Sequence, residues 1–176
     1  MGELPIYSVS ERGLYAGAHP LWILERLIDS GIESFIDLTE PQELYDRSAS
    51  SRAYAPALSE MAQQRGLSLA HHSFPIEDFG VPTPELLDAT LSQIDRDLAD
   101  GRPVYVHCWG GYGRTGIVVG AWLIRHHLAD PAGFVQTIAK LRKHLPTHFT
   151  SPVTAEQIEF VRSYVTRPLA PSQDLE

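Results

Sequence analysis

Val104-Tyr105-Val106-His107-Cys108-Trp109-Gly110-Gly111-Tyr112-Gly113-Arg114-Thr115-Gly116 runs from a β-branched and aromatic segment, through the chain's single cysteine, to an arginine six residues further on. The segment ending at His107 reads as a buried strand, and Thr115 to Leu128 (TGIVVGAWLIRHHL) has the length and composition of a helix. The loop between them would point backbone N–H groups and the positive end of a helix dipole at one spot, which suits a dianionic phosphate. Gly110, Gly111 and Gly113 let the backbone approach such an anion where a Cβ would interfere. The same field favours thiolate over thiol, so Cys108 is expected to be a nucleophile at neutral pH. Arg114 supplies a planar fork able to hold two phosphoryl oxygens, which a lysine point charge does not. Thr115, in the first helical turn, has a hydroxyl suited to stabilising the sulfur as it leaves.

His-Cys, five residues, then Arg-Thr-Gly is similar to the signature of the cysteine-dependent protein tyrosine phosphatase superfamily, in its compact dual-specificity form. Pro75-Ile76-Glu77-Asp78-Phe79-Gly80-Val81-Pro82 resembles the general-acid loop of that family, and the likeness extends over roughly residues 12 to 165. The resemblance implies Cys108, Arg114 and Asp78 as catalytic residues. Trp109, Gly110, Gly111, Tyr112, Gly113 and Arg114 would bind phosphate, with His107 and Thr115 in support. Asp78 matters because displacing an alkoxide or phenoxide from phosphorus is slow unless the departing oxygen receives a proton. Glu77 occupies the variable position beside it. Near the C-terminus, Thr154-Ala155-Glu156-Gln157 is similar to half of a family segment that orients the hydrolytic water. The other reading of Gln157 is a capping box with Thr154 at a helix start.

Competing chemistries fit less well. No lysine stands in the loop, so a Walker-type nucleotide site fails. Rhodanese-class sulfurtransferases also carry a cysteine loop closed by arginine, but one less like this glycine-rich Arg-Thr-Gly form. Among the eight histidines, the pairs His71-His72 and His126-His127 point to different faces, and His144 and His148 lack the glutamate of a zincin motif. No metal and no cofactor is expected.

At 176 residues the chain suffices for one domain, expected over residues 1–167, with 168–176 as a flexible tail. Alternation of elements predicts an α/β fold. Extended segments are expected at Leu14–Gly17, Ile32–Leu38, Leu67–Phe74 and before the cysteine. Helices are expected at Leu21–Ser30, Ala53–Gln64, Pro84–Ala99 capped by Thr83, Phe134–His144 and Thr154–Thr166, with Thr39–Ser51 as a surface loop. The sheet is expected to be central and mostly parallel, with helices on both faces and the cysteine loop at its carboxyl edge.

The formal charge of -8 argues against nucleic acid and anionic membranes as partners. No secretory signal or spanning run is visible, Ile6 stands where a myristoylation motif wants Ser or Thr, and one cysteine allows no internal disulfide. A monomeric cytoplasmic enzyme is expected, acting on phosphotyrosine and also on phosphoserine or phosphothreonine in proteins, or on small phosphomonoesters. The alternatives are an inositol phosphate or phosphoinositide phosphatase, for which the loop lacks the expected lysines, and a pseudophosphatase that binds phosphoproteins without turnover.

Overall fold

A computed structural model describes residues 5–41, 43, 54–145 and 149–165. Five short strands, β1 (Ile6–Ser10), β2 (Leu14–Gly17), β3 (Ser34–Asp37), β4 (Ala70–Ser73) and β5 (Val104–His107), form one sheet in the order β1-β2-β5-β3-β4. Only the β1–β2 pair is antiparallel; β2, β5, β3 and β4 run parallel. The central strand β5 aligns Val106 with Ala16 on one side and with Ile36 on the other.

The two-residue period of the strands divides the apolar side chains between two cores. Val104, Val106, Ile36, Leu14 and Ala16 face α3 (Pro84–Ala99), α4 (Gly113–Arg125), α5 (Phe134–Leu141) and α6 (Ala155–Val165). Tyr105 and Phe35 face α1 (Leu24–Asp29) and α2 (Ala55–Arg65). Helices thus cover both faces, as the alternation of elements predicts.

Local signals place most helix ends. Thr83 accepts the Leu86 N–H at 3.2 Å and caps α3, with Pro84 at the first helical position. Gly66 closes α2 in the left-handed conformation, φ +64°. The expected helix at Leu21–Ser30 is instead a 3₁₀ turn over Pro20–Trp22 followed by α1, because His19 and Pro20 start a turn of their own. The expected strand at Leu67–Phe74 shortens to Ala70–Ser73, since Leu67 still bonds back to Ala62 and Pro75 has no N–H to extend the ladder. The antiparallel edge β1 was not anticipated from its mixed IYSVS pattern.

The segment expected as a surface loop from Thr39 begins inside the protein. Thr39 is buried and donates to Asp37 Oδ1, and Glu43 turns inward. The rest of that segment, His148 and the expected tail at 168–176 lie outside the described residues.

Helix α4 is the hub of the larger core, with Ile117 to Leu123 all buried. Its indole at Trp122 donates to Asp95 on α3 at 2.9 Å. Gly120 lets α5 approach closely: a Cβ there would lie 2.6 Å from Phe134 Cδ2. Gly120→Ala is therefore expected to destabilise the fold by about 1–3 kcal/mol despite its gain in helix propensity. Urea denaturation measures this, and an unchanged midpoint would contradict the packing.

Candidate active site

β5 ends at His107, and the next residue, Cys108, lies almost fully buried at the carboxyl edge of the sheet. The chain then turns over Trp109 to Tyr112 and enters α4 at Gly113. The expected helix start at Thr115 moves back to Gly113, which puts Arg114 inside the first turn. Gly111 adopts φ +73° and donates its N–H to Cys108 Sγ at 3.3 Å. Any side chain there would be excluded, since a Cβ would sit 2.4 Å from the Gly17 carbonyl group.

Arg114 is buried, and its guanidinium gathers three separate segments. Nη1 donates to the Ile76 carbonyl at 3.1 Å, to the Leu38 carbonyl at 3.4 Å and to Glu43 Oε1. Nη2 donates to Glu43 Oε2 at 3.0 Å and lies 2.9 Å from Asp78 Oδ1. Burial works against the charge, but Glu43, Cys108 and Asp78 outweigh it and hold the guanidinium above its ordinary value. Asp78 is thereby brought to the cysteine loop although 30 residues separate it from Cys108. Phe79, beside it, holds φ +62°, an uncommon conformation for a bulky residue.

Cys108, Asp78, Arg114, Trp109, Gly110, Tyr112, Gly113 and Gln157 line one cavity of about 310 Å³, together with Phe79, Phe149 and Val153. Among the described residues Arg114 is the one cationic side chain in this lining. Trp109 packs its indole against His19, with ring centres 5.1 Å apart. Tyr112 meets the edge of Phe149 at 5.7 Å. Thr115 stands buried in the first turn of α4, its hydroxyl without a hydrogen-bond partner.

Gln157 is fully buried and committed to the backbone. Its Oε1 accepts from the N–H groups of Val153 and Thr154, while Thr154 Oγ1 accepts from the Gln157 N–H, the reciprocal pattern of a capping box. Its Nε2 donates to the Gly80 carbonyl at 3.0 Å, tying the Asp78 loop to α6. In this geometry the amide serves those contacts first.

Behind the loop lies a polar network that the sequence did not disclose. His107 is fully buried, with Nδ1 3.3 Å from the Cys108 carbonyl and Nε2 2.7 Å from the Tyr54 hydroxyl. These contacts fit one tautomer, with Nδ1–H donating to the carbonyl and Tyr54 donating to Nε2. Asp37 Oδ1 stands 4.0 Å from Nδ1, and its other oxygen 3.4 Å from His71 Nε2. Burial opposes the Asp37 charge, but His107, His71 and two hydrogen bonds from Thr39 hold it well below the usual carboxylate range. Glu43 and Tyr54 were missed because nothing local marks them. The available signal was their position, an acid shortly after a parallel strand and an aromatic at a helix start.

The family model for the DSP-PTPase phosphatase of polymorphic toxin systems matches residues 18–128. Rat cyclin-dependent kinase inhibitor 3 is 30% identical over 118 residues, 67% of this chain and 51% of the relative. Mouse phosphatidylglycerophosphatase and protein-tyrosine phosphatase 1 is 28% identical over 131 residues, 73% of this chain and 63% of the relative. The chain thus spans between half and two thirds of these relatives. A crystal structure of Tk-PTP in the active form shares the fold, with TM-score 0.66 and 24% identity over 93% of this chain and 98% of that one.

Acid sensitivity follows from the buried network. Burial outweighs the attraction of Asp37 and lowers His107 to about 4. The unfolded chain takes up that proton near pH 6.5, whereas the native state resists until about pH 4, so acidification through this window favours unfolding. The depressed Asp37 acts in the same sense at still lower pH. Stability should fall by about 2 kcal/mol between pH 7.5 and pH 5. Denaturant unfolding at the two pH values checks this, and His107→Asn should remove most of the slope.

Proposed function

Because the chain belongs to the DSP-PTPase phosphatase family, a cysteine-dependent branch of the protein tyrosine phosphatase superfamily, we propose that it hydrolyses phosphomonoesters through a phosphocysteine intermediate. The observation that carries this reading is the convergence of Cys108, Arg114 and Asp78 on one cleft, with the Gly111 N–H on the sulfur. Cys108 attacks phosphorus in line as the bond to the leaving oxygen breaks, and Asp78 gives that oxygen its proton. Arg114 and the loop amides hold the equatorial oxygens. Phosphate competes with Asp78 for Nη2 of Arg114, which frees the acid to meet the leaving oxygen while Glu43 keeps the guanidinium oriented. Asp78, now a carboxylate, accepts a proton from the water that cleaves the sulfur–phosphorus bond, restoring the thiolate and releasing phosphate.

The favoured substrate is a phosphotyrosine-bearing protein, with phosphoserine and phosphothreonine accepted as well. Phe79, Trp109, Tyr112 and Phe149 offer aromatic surface to a ring, and the one cationic side chain among the described lining residues suits a single phosphate. A second reading, a lipid phosphomonoesterase, has support in the apolar character of the same walls and in the likeness to the mouse phosphatase. Phosphoinositides carrying several phosphates fit less well, since the described lining holds no cation besides Arg114. With a thiolate nucleophile and no second cysteine to protect it, the enzyme belongs in a reducing compartment such as the cytoplasm, as a monomer.

Hydrolysis of p-nitrophenyl phosphate with EDTA present should vanish in Cys108→Ser; persisting activity would exclude thiolate catalysis, and an inactive wild type would favour a phosphoprotein-binding role. Asp78→Asn should lower kcat by about 10² to 10⁴ for poor leaving groups and far less for p-nitrophenol. Equal losses across leaving groups would remove Asp78 as the acid. Phosphate release from phosphopeptides, phosphatidylglycerophosphate and inositol phosphates, compared by kcat/KM, separates the substrate classes.

A further inference from the structure

Arg142 follows the last turn of α5 and is 4% exposed. A cation so deeply buried is expected to pair with a carboxylate, since isolated buried charge is costly. Arg142 has no such partner among the described residues. Its Nη1 instead donates to the Gly111 carbonyl at 2.5 Å. The guanidinium lies over the Tyr112 ring at 4.1 Å and over the Tyr7 ring at 5.2 Å, and its Nε is buried without a hydrogen-bond partner.

These contacts converge on the one peptide of the cysteine loop that joins its glycine turn to its helix. We infer that Arg142 is a positioning residue of the phosphate cradle, holding the Gly111–Tyr112 peptide with its carbonyl outward and lending to the anion site a positive charge that no carboxylate among the described residues pairs. In a trans peptide the carbonyl and the following N–H point in opposite directions. Drawing the Gly111 oxygen toward Arg142 therefore turns the Tyr112 N–H to the opposite side, where the Gly111 N–H already meets Cys108 Sγ. Gly111, at φ +73°, has no side chain to fix its own torsion, and the bond from Arg142 restrains its carbonyl beside the one from Ser151 Oγ to the Tyr112 carbonyl. The aromatic faces of Tyr112 and Tyr7 accept the cation by its π contacts without neutralising it, so its field reaches the thiolate and a bound phosphate. A planar guanidinium can lie against rings while donating in its own plane, a combination that an ammonium does not offer.

A competing role is purely structural, a positive charge at a helix C-terminus packed for stability. The two differ in what they move besides melting temperature. The inference rests on the phosphatase reading of the cleft, and binding measurements separate them, since failure of turnover alone would overturn catalysis and not the cradle.

The test uses the full chain and its Arg142→Met and Arg142→Lys variants. Tungstate affinity is read by calorimetry, and the rate of Cys108 alkylation by iodoacetate is read at pH 6. Arg142→Met should lose about tenfold or more in tungstate affinity and a similar factor in alkylation rate, the scale of one charge-assisted hydrogen bond. Arg142→Lys, which keeps the charge, should recover part of the alkylation rate and little of the tungstate affinity. A folded Met variant matching wild type in both readouts would overturn the inference, whatever its melting temperature. If the Met variant does not fold, a Lys variant with wild-type tungstate affinity overturns it equally. A wild type that binds no tungstate would overturn the inference and the phosphatase reading together.

Discussion

The burial of Arg114 is the constraint from which the rest of the cleft follows. A guanidinium carries five N–H donors and cannot shed its charge, so enclosing it obliges the protein to bring acceptors to it. Those acceptors come from the end of β3 through Leu38, from the acid loop through Ile76 and Asp78, and from Glu43. One side chain in the first turn of α4 thus gathers segments that share no sequence proximity. One of the groups that satisfy it, Asp78, is the acid of the proposed reaction.

A second layer sits beneath Cys108. His107 is held neutral by burial while Tyr54 and the Cys108 carbonyl engage its two nitrogens. The strand end is thereby fixed from the α2 side of the sheet, and Arg142 restrains the loop on the other side through Gly111. Acting between them, Gln157 joins α6 to the acid loop at Gly80. Both faces of the cysteine loop, and the loop carrying Asp78, are thus tied by buried polar contacts, each worth most where water is excluded.

How much of this was legible in the sequence depended on whether the signal was local. The cysteine loop and the Thr83 cap with Pro84 are consecutive residues whose chemistry dictates their geometry; the cap stands where the sequence places it, and the loop enters its helix two residues earlier than expected. Asp78 was legible only by resemblance, because nothing in Pro75 to Pro82 says that Arg114 lies beside it. Glu43, Tyr54 and Arg142 were illegible for a physical reason. Each is an ordinary residue at the edge of an element, and its role comes from the parallel pairing of β3 with β5 and from the packing of α5 under the loop. The Gln157 capping pattern was readable, while its bond to Gly80 needed the third dimension.

The strand order β1-β2-β5-β3-β4 also has a temporal meaning. During synthesis, β1 with β2 and β3 with β4 emerge first as two separate pairs, and the centre of the sheet is the last strand to leave the ribosome. The two halves can join edge to edge only through β5, and the helix that follows β5 carries Arg114. Nascent chains that stop short of β5 therefore hold exposed strand edges and lack both Cys108 and Arg114. The cysteine loop thus arrives with the strand that completes the sheet, while α5 and α6, with Arg142 and Gln157, follow it and close the larger core afterwards.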